Sequence, residues 1–453
     1  MEHVRTEMFF AFQCACVYGL TSFDFDMPCG CSTGRFYCIA NIVLYTTKTL
    51  CEDRIVAVWK QVANEICLGW RISQTRLCSM RKEDGMDKKF MLRAIELAKQ
   101  GIGYTNPNPM VGAVIVKDGQ VIGEGYHHKC GELHAERNAF ASLTESAKGA
   151  DLYVTLEPCC HFGRTAPCTD AIIEHKIARV FIGSRDPNPK VSGKGVKILR
   201  EHGIEVVEDV CKEECDEINP VFFHYITQKR PYIVMKYAMT LDGKIATSTG
   251  KSKWITDETA RKHVHHLRAK YAAILCGIGT VLADDPMLNA RIPGAHQPVR
   301  IVLDSCLRIP VTSKLVKSAS QQETIIVCSQ MTSNKAVLEN LGCEVLCLPG
   351  KDGKVDLHAL VEELGKRQID SVFVEGGGEI HDAFRMAGLV DHVCCYLAPK
   401  IFGGAQAKTP VGGVGVNEPA EALQLTNQKL TVLGKDLLLE YDCKGDAGCL
   451  QEL

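Results

Sequence analysis

His134-Ala135-Glu136, Pro158-Cys159 and Cys168 are the residues of this chain best suited to carry chemistry. One histidine and two cysteines offer three ligands to a borderline-soft ion such as zinc, and they leave the fourth tetrahedral position open to water. Zinc brings the pKa of such a water toward neutrality. Glu136, two residues from the histidine, is spaced to take a proton from the water and deliver it to a departing amine. An H-x-E pair followed by two cysteines suits hydrolytic removal of an amino group from a nucleobase-like ring. The usual second half of that pattern is P-C-x-x-C. Here CHFGRTAP separates Cys159 from Cys168, so Cys160 and His161 compete in principle as ligands.

A second candidate region lies further along. Gly277-Ile278-Gly279-Thr280-Val281-Leu282 begins like G-x-G-x-x-G but ends in leucine, so the dinucleotide fingerprint fails. Val374-Glu375-Gly376-Gly377-Gly378 follows the apolar run SVFV and precedes a helix expected from near Ile380. Glycines there let backbone N–H groups approach a phosphate, and a helix N-terminus adds a favourable field. A tight turn explains the same residues nearly as well.

These groups need scaffolds, and the chain is long enough for two. At 453 residues it exceeds one ordinary core. With 46% hydrophobic and 23% charged residues it has the balance of a globular protein. A net charge of -2 gives no global attraction to nucleic acid or acidic membranes, so an anionic ligand must be held by local groups. The apolar stretch Met8 to Leu20 is interrupted by Gln13 and is too short to span a bilayer. From Met86, MDKKFMLRAIELAKQG presents Phe90, Met91, Ala94, Ile95 and Ala98 on one helical face, with Gly101 and Gly103 as stops. VGAVIV, DLYVTL, ARVFIGS and GIEVVE then read as strands, with helices over His134 to Leu143 and Thr169 to His175. After QKRPYIVMKYA the strands PYIVMKYA, AAILCGI, RIVLD, TIIVCS, CEVLCL and SVFVEGG alternate with helices such as TARKHVHHLRAK. The expectation is an α/β layered domain over 86–229, a second α/β domain over 230–443 and a polar tail over 444–453.

Residues 1–85 differ in character. They lack periodicity and hold Cys14, Cys16, Cys29, Cys31, Cys38, Cys51, Cys67 and Cys78 of the 23 cysteines. Met86 is the expected physiological start, with an upstream extension before it; a cysteine-based metal module is the alternative. Many other cysteines sit in apolar runs, where a thiol packs as a small core side chain. A reducing cytoplasm is expected, since Glu2 and Glu7 and the lack of a clean cleavage site argue against a secretory signal.

TNPNPMVGAVIVKDG, HAERNAF, VTLEPCCHFGRTAPCTDAII and RDPNPKVSGKG together resemble the deaminase half of the bifunctional riboflavin biosynthesis family. The long cysteine spacing with its H-[YF]-G-[RK]-T insert is that family's own pattern. MKYAMTLDGKIATSTGKSKWIT, LRAKYAAILCGIGTVLADDPMLNAR, PVRIVLDS, VFVEGGGEIH and YLAPKIFGG resemble its reductase half. The resemblance runs from Met86 to about Asp442. It implies a cytidine-deaminase-like α/β/α domain followed by a dihydrofolate-reductase-like α/β domain. It also implies zinc on His134, Cys159 and Cys168, with Glu136 as acid/base. Asn108, Arg164, Asp186 and Asn188 would recognise substrate in the first half, and Ser252, Arg268, Leu288, Arg291 and Glu375 in the second. NADPH would meet Ala238, Trp254, Thr280, Asp284, Ser305 and the loop Gly377, Gly378, Glu379, Ile380, His381, Asp382 and Ala383. From the residues alone, Asp186 and Asn188 could simply build a turn, and Arg164 and Arg268 could be surface charges.

The implied reaction is deamination of 2,5-diamino-6-ribosylamino-4(3H)-pyrimidinone 5′-phosphate, then NADPH-dependent reduction of its ribosyl group to ribityl. The implied partners are this small phosphorylated pyrimidine and further copies of the chain, with no nucleic acid and no membrane. Two rivals differ in class. A tRNA or nucleotide deaminase predicts a basic patch or stacking aromatics at the pocket, and the first half has no strong basic run. A non-catalytic nucleotide sensor predicts a fully ligated metal and indifference to Glu136.

Overall fold

The computed structural model describes residues 87–162, 166–188 and 191–443. The segment 1–85, Arg164 and the tail 444–453 lie outside the described residues, as do the expectations attached to them. No helix among the described residues is long and apolar enough to cross a membrane.

Five strands form the first sheet: β1 (Gly112–Lys117), β2 (Gln120–Tyr126), β3 (Asp151–Leu156), β4 (Arg179–Ser184) and β5 (Glu205–Val207), in the order β2-β1-β3-β4-β5. β1 runs antiparallel to β2 and β3, whereas β3, β4 and β5 are parallel. Helix α1 over residues 87–98 buries Phe90, Met91, Ala94, Ile95 and Ala98, the stripe expected from its periodicity. It packs on one face with Val114, Tyr153 and Phe181. The other face takes α2 (Ala135–Ala141), α3 (Cys168–Glu174) and α4 (Lys194–Glu201), through Ala139, Ile172 and Leu199. Strands β1, β3 and β4 are buried on both faces, which is why they read as continuous apolar runs.

After α5 (Pro220–Gln228) comes a nine-stranded sheet. Its strands are β6 (Tyr232–Thr240), β7 (Ala273–Gly277), β8 (Val299–Leu303), β9 (Thr324–Cys328), β10 (Glu344–Cys347), β11 (Ser371–Val374), β12 (His392–Ala398), β13 (Leu425–Leu433) and β14 (Asp436–Cys443). Their order is β10-β9-β8-β7-β11-β6-β12-β14-β13, parallel except for the β14 and β13 edge. Helix α6 (Glu258–Lys270) covers one face through Ala260, Val264 and Leu267. Its start is capped by Asp257, which accepts from the Ala260 N–H. The other face takes α8 (Leu357–Lys366) and α9 (Gly378–Met386), while α7 (Ile278–Asp284) follows directly on β7. Besides β12, whose buried run HVCCYLA was read only as apolar, strands β2, β13 and β14 were not expected. Glycine interrupts β2, and β13 is mostly exposed with a register shift between Thr426 and Lys429, so none of the three shows a clean apolar pattern.

The two sheets belong to one compact unit. Asn106 Nδ2 donates to both carboxylate oxygens of Asp370, at 3.0 and 2.8 Å, and Tyr104 Oη donates to the Gly294 carbonyl. A Cβ on Gly103 would meet the Ala269 carbonyl at 2.2 Å, so glycine is required at this close approach.

Candidate functional site

His134 is the N-cap of α2, with extended backbone that sets its ring just outside the helix while Glu136 enters the first turn. Helix and strand lie close here because Gly125 of β2 has no side chain: a Cβ would stand 2.3 Å from the Ala139 nitrogen. Cys159 leaves β3 through Glu157-Pro158. The buried Glu157 carboxylate accepts from the Gly193 N–H at 3.0 Å and the Val196 N–H at 3.4 Å, tying this turn to the start of α4. Cys168 opens α3, and Arg137 of α2 donates to the carbonyls of Ala166 and Pro167 just before it. Three helix starts and one strand end thus converge.

The His134 Nδ1 lies 3.4 Å from each of the Cys159 and Cys168 sulfurs. All three candidate ligand atoms fall within 4.8 Å of one another. Tetrahedral zinc with ordinary Zn–N and Zn–S bonds separates such ligands by about 3.6 Å. The geometry therefore fits the ion, and Cys160 and His161 are outside the group. A hydrogen bond from the Cys168 thiol, aided by His134, holds Cys159 down to about 4. The same contact and burial push Cys168 up. Glu136 is buried, and burial followed by the charge of Cys159 raises its pKa. A carboxyl that readily accepts a proton suits acid/base work.

Asn108 Nδ2 donates to His127 Nε2 at 3.2 Å, and His127 Nδ1 meets the Leu133 carbonyl at 3.0 Å. Burial lowers the His127 pKa, which agrees with a neutral ring that accepts at one nitrogen and donates at the other. This ring stands edge-on to His134, 5.5 Å between centroids, so Asn108 is carried to the metal-competent group. Asp186 accepts from the Asn188 N–H at 2.8 Å, forming the turn that DPNP suggests. Burial pushes Asp186 up to about 6, and the charges of Glu157 and Cys159 add to that, which sets it beside the same site. His127, Glu157 and Arg137 were not singled out in the sequence, although Glu157 and Arg137 sit inside the EPC and HAER motifs.

At the carboxyl ends of β7 and β11 the Gly277 N–H donates to the Gly376 carbonyl at 2.9 Å. A Cβ on Gly277 would stand 2.7 Å from Ile380, and one on Gly377 would stand 3.8 Å from the Thr280 hydroxyl. Gly377 therefore faces Thr280 between the starts of α7 and α9, whereas Gly378 packs against the backbone of Thr409, Pro410 and Gly412. The stretch 377–383 is a helix start rather than a loop. Gly377 is its N-cap, and helical geometry begins at Gly378, before Ile380. His381 is buried against the carbonyls of Pro410 and Val374, and Asp382 is bonded to Arg385. Ile380 packs on Gly277, Ala383 joins the core and Glu379 is exposed, so backbone groups remain to face a ligand here.

Ala238 lies on β6, and Ser305 follows β8 with its carbonyl accepting from Ser329 and Gln330. Trp254 is 60% exposed beneath the Arg261 guanidinium, 4.6 Å from the ring centre, next to half-buried Ser252. Asp284 is 3.7 Å from Lys253, Leu288 is buried and Arg291 is exposed. Arg268 is no surface charge. Its fork is bidentate on Glu375 at 2.6 and 2.7 Å, with side chains 14% and 10% exposed. Lys236 of β6 is a further charged group near this pair; burial lowers its pKa and Glu375 opposes that.

The first of these sites has the ligand set and buried carboxyl of a zinc-dependent hydrolase, and the second domain sets a glycine-rich turn at the carboxyl ends of parallel strands. A family model for the cytidine and deoxycytidylate deaminase zinc-binding region matches residues 84–184, and one for the RibD C-terminal domain matches residues 231–439. The riboflavin biosynthesis protein RibD of Actinobacillus pleuropneumoniae is 53% identical over 356 residues, covering 78% of this chain and 95% of that protein. Acinetobacter baumannii RibD (form 1) superposes with a TM-score of 0.72 at 37% identity, covering 80% of this chain and 99% of that one. The diaminohydroxyphosphoribosylaminopyrimidine deaminase/5-amino-6-(5-phosphoribosylamino)uracil reductase of Thermotoga maritima gives 0.70 at 40% identity, with coverages of 80% and 99%. The chain belongs to the RibD family of riboflavin biosynthesis proteins. It is a bifunctional enzyme, a zinc-dependent deaminase followed by an NADPH-dependent reductase, with the two α/β folds expected for them.

Proposed function

We propose that the chain hydrolytically deaminates 2,5-diamino-6-ribosylamino-4(3H)-pyrimidinone 5′-phosphate and then reduces the ribosyl group of the product to ribityl with NADPH. The observation that carries this reading is the buried Glu136 beside His134, Cys159 and Cys168. Those three residues would hold zinc, which when bound supplies a Lewis acid that makes a water acidic near neutral pH. Glu136 takes the water's proton on its carboxylate and delivers it to the exocyclic nitrogen that leaves as ammonia. Asn108, fixed by His127, offers its amide oxygen to the pyrimidine edge. Asp186 and Asn188 form a polar wall, and Arg164 would meet the phosphate as a charge-assisted fork.

In the second domain Thr280 and Gly377, with the backbone at the start of α9, would take the dinucleotide phosphates, and Trp254, Asp284, Ser305 and Ala238 would contact the rest of the cofactor. NADPH supplies the hydride there. Ser252, Leu288, Arg291 and the Arg268–Glu375 pair shape the substrate side, and Arg291, whose guanidinium is exposed, is the residue suited to the phosphate. We assign 86–229 to deamination, 230–443 to reduction, and a homo-oligomer to the working state. We also assign the chain to a reducing cytoplasm.

The test is to incubate zinc-loaded full-length protein with the diamino substrate, with and without NADPH, following ammonia and NADPH together. Ammonia without NADPH, and oxidation only after deamination, is the expected result. Absence of both activities overturns the reading, and ammonia release without any oxidation overturns its second half.

A further inference from the structure

A second constellation of metal-ligand type lies far along the chain from the deaminase residues, on the reductase sheet. His392 and Cys394 are two apart on β12, so their side chains share one face. The register of the antiparallel neighbour sets Asp442 opposite His392 and Glu440 opposite Cys394. Four groups able to bind or support a cation therefore form a cross-strand quartet. The donor atoms of His392, Cys394 and Glu440 all lie within 4.8 Å of one another. His392 Nε2 is 3.8 Å from Glu440 Oε1, and the Cys394 sulfur is 4.0 Å from the same oxygen. Ligands on one tetrahedral zinc-class ion would stand about 3.4 and 3.6 Å apart for these pairs. Closure by a few tenths of an ångström makes a site.

Without an ion His392 pairs with Asp442 and Glu440, and the same contacts orient it as a ligand. Asp442 lies 2.8 Å from His392 Nδ1, so the imidazole is held by a carboxylate and its Nε2 is turned toward Cys394 and Glu440. A carboxylate behind a metal-binding histidine is the usual orienting partner. Asn427 Nδ2 in turn donates to the other Asp442 oxygen at 3.0 Å. Cys394 is fully buried, and at 4.0 Å its thiol makes only a marginal hydrogen bond to Glu440. Glu440 and His392 are about one-fifth exposed, which leaves a path for an ion and a water as fourth ligand. Lys429, opposite Glu440 on β13, offsets part of the added negative charge.

We propose that His392, Cys394 and Glu440 bind a second zinc-class ion, with Asp442 as the positioning carboxylate. The ion clamps β14, and through it the β13–β14 hairpin, to the parallel sheet. Nothing in either reaction requires it, so its role is structural.

Metal content of full-length protein, measured per chain by mass spectrometry after zinc loading and desalting, tests this. Cys394→Ser and His392→Ala should each lose one equivalent relative to the parent while ammonia release is unchanged. The Cys159→Ser variant should lose a different equivalent, so that Cys159→Ser/Cys394→Ser loses both. Should Cys394→Ser misfold, Glu440→Gln and Asp442→Asn keep side-chain volume; Asp442→Asn should weaken zinc binding by about 10–100-fold. Cobalt loading adds a direct readout, a thiolate-to-cobalt absorption in the parent that diminishes when Cys394 is replaced. Equal zinc content and equal cobalt spectra in the parent and the β12 and β14 variants would overturn the site.

Discussion

Replacing Arg268 with methionine should destabilise the reductase domain severely. The side chain is bidentate on Glu375 at 2.6 and 2.7 Å and donates a third bond to the Asn289 carbonyl, in a setting where both partners are nearly buried. Burial alone would raise the Glu375 pKa, yet Arg268, with Lys236 behind it, holds it down to about 2. The gap from the ordinary glutamate value of 4.5 corresponds to about 3 kcal/mol. Stripping one partner from a buried pair costs about 3–5 kcal/mol by a separate route, because the remaining charge is left without compensation. The two figures agree. The sign follows from the depressed acid: the stabilisation is complete above about pH 4.5 and disappears as pH falls through about 2. Urea unfolding, followed by a probe in the nine-stranded sheet, should give a loss of about 3 kcal/mol for Arg268→Met at pH 7 and little difference near pH 2. Arg268→Met/Glu375→Gln should recover a large part of the loss, since no charge is then buried alone. A single variant within 1 kcal/mol of the parent, or a double variant no better than the single, would refute the argument that this pair is held by mutual compensation.

Glu136→Gln keeps volume and removes the proton acceptor, so kcat for ammonia release should fall by about 10²–10⁴-fold with zinc retained and NADPH oxidation of pre-deaminated substrate untouched. Loss of zinc together with activity would instead make Glu136 structural. Glu157→Ala leaves the N–H groups of Gly193 and Val196 without their acceptor, and should cost about 1–3 kcal/mol in first-domain stability and speed zinc release to a chelator. Asn106→Ala removes both amide bonds to the buried Asp370 and should cost about 1–3 kcal/mol, readable as earlier unfolding; an unchanged midpoint would show that Ser371 alone satisfies the carboxylate.

What could be read from the sequence and what could not separate along physical lines. His134, Glu136, Cys159 and Cys168 were legible because ligand chemistry restricts residue type, and a restricted type at a fixed spacing survives without knowledge of the fold. Strands β1, β3, β4, β7 and β9 were legible because burial on both faces leaves an unbroken apolar run. β13 and β14 were not, since an edge hairpin packs little and its strands keep polar residues such as Gln428, Lys429 and Glu440. The supporting residues were hidden for a different reason. His127 matters through a tautomer fixed by Leu133 and Asn108, and Glu157 matters through the N-terminus of a helix more than thirty residues away. Arg268 read as a possible surface charge because its partner, Glu375, is 107 residues distant. His381 and Asp382 were named as cofactor contacts by the family resemblance alone; helix α9 begins at once, and their side chains bond to the Pro410 carbonyl and to Arg385. The quartet of His392, Cys394, Glu440 and Asp442 belongs to the same class as the Arg268 pair. It is assembled by the register of β12 against β14 alone, so a single chain read in order shows two separate pairs where the sheet makes one site.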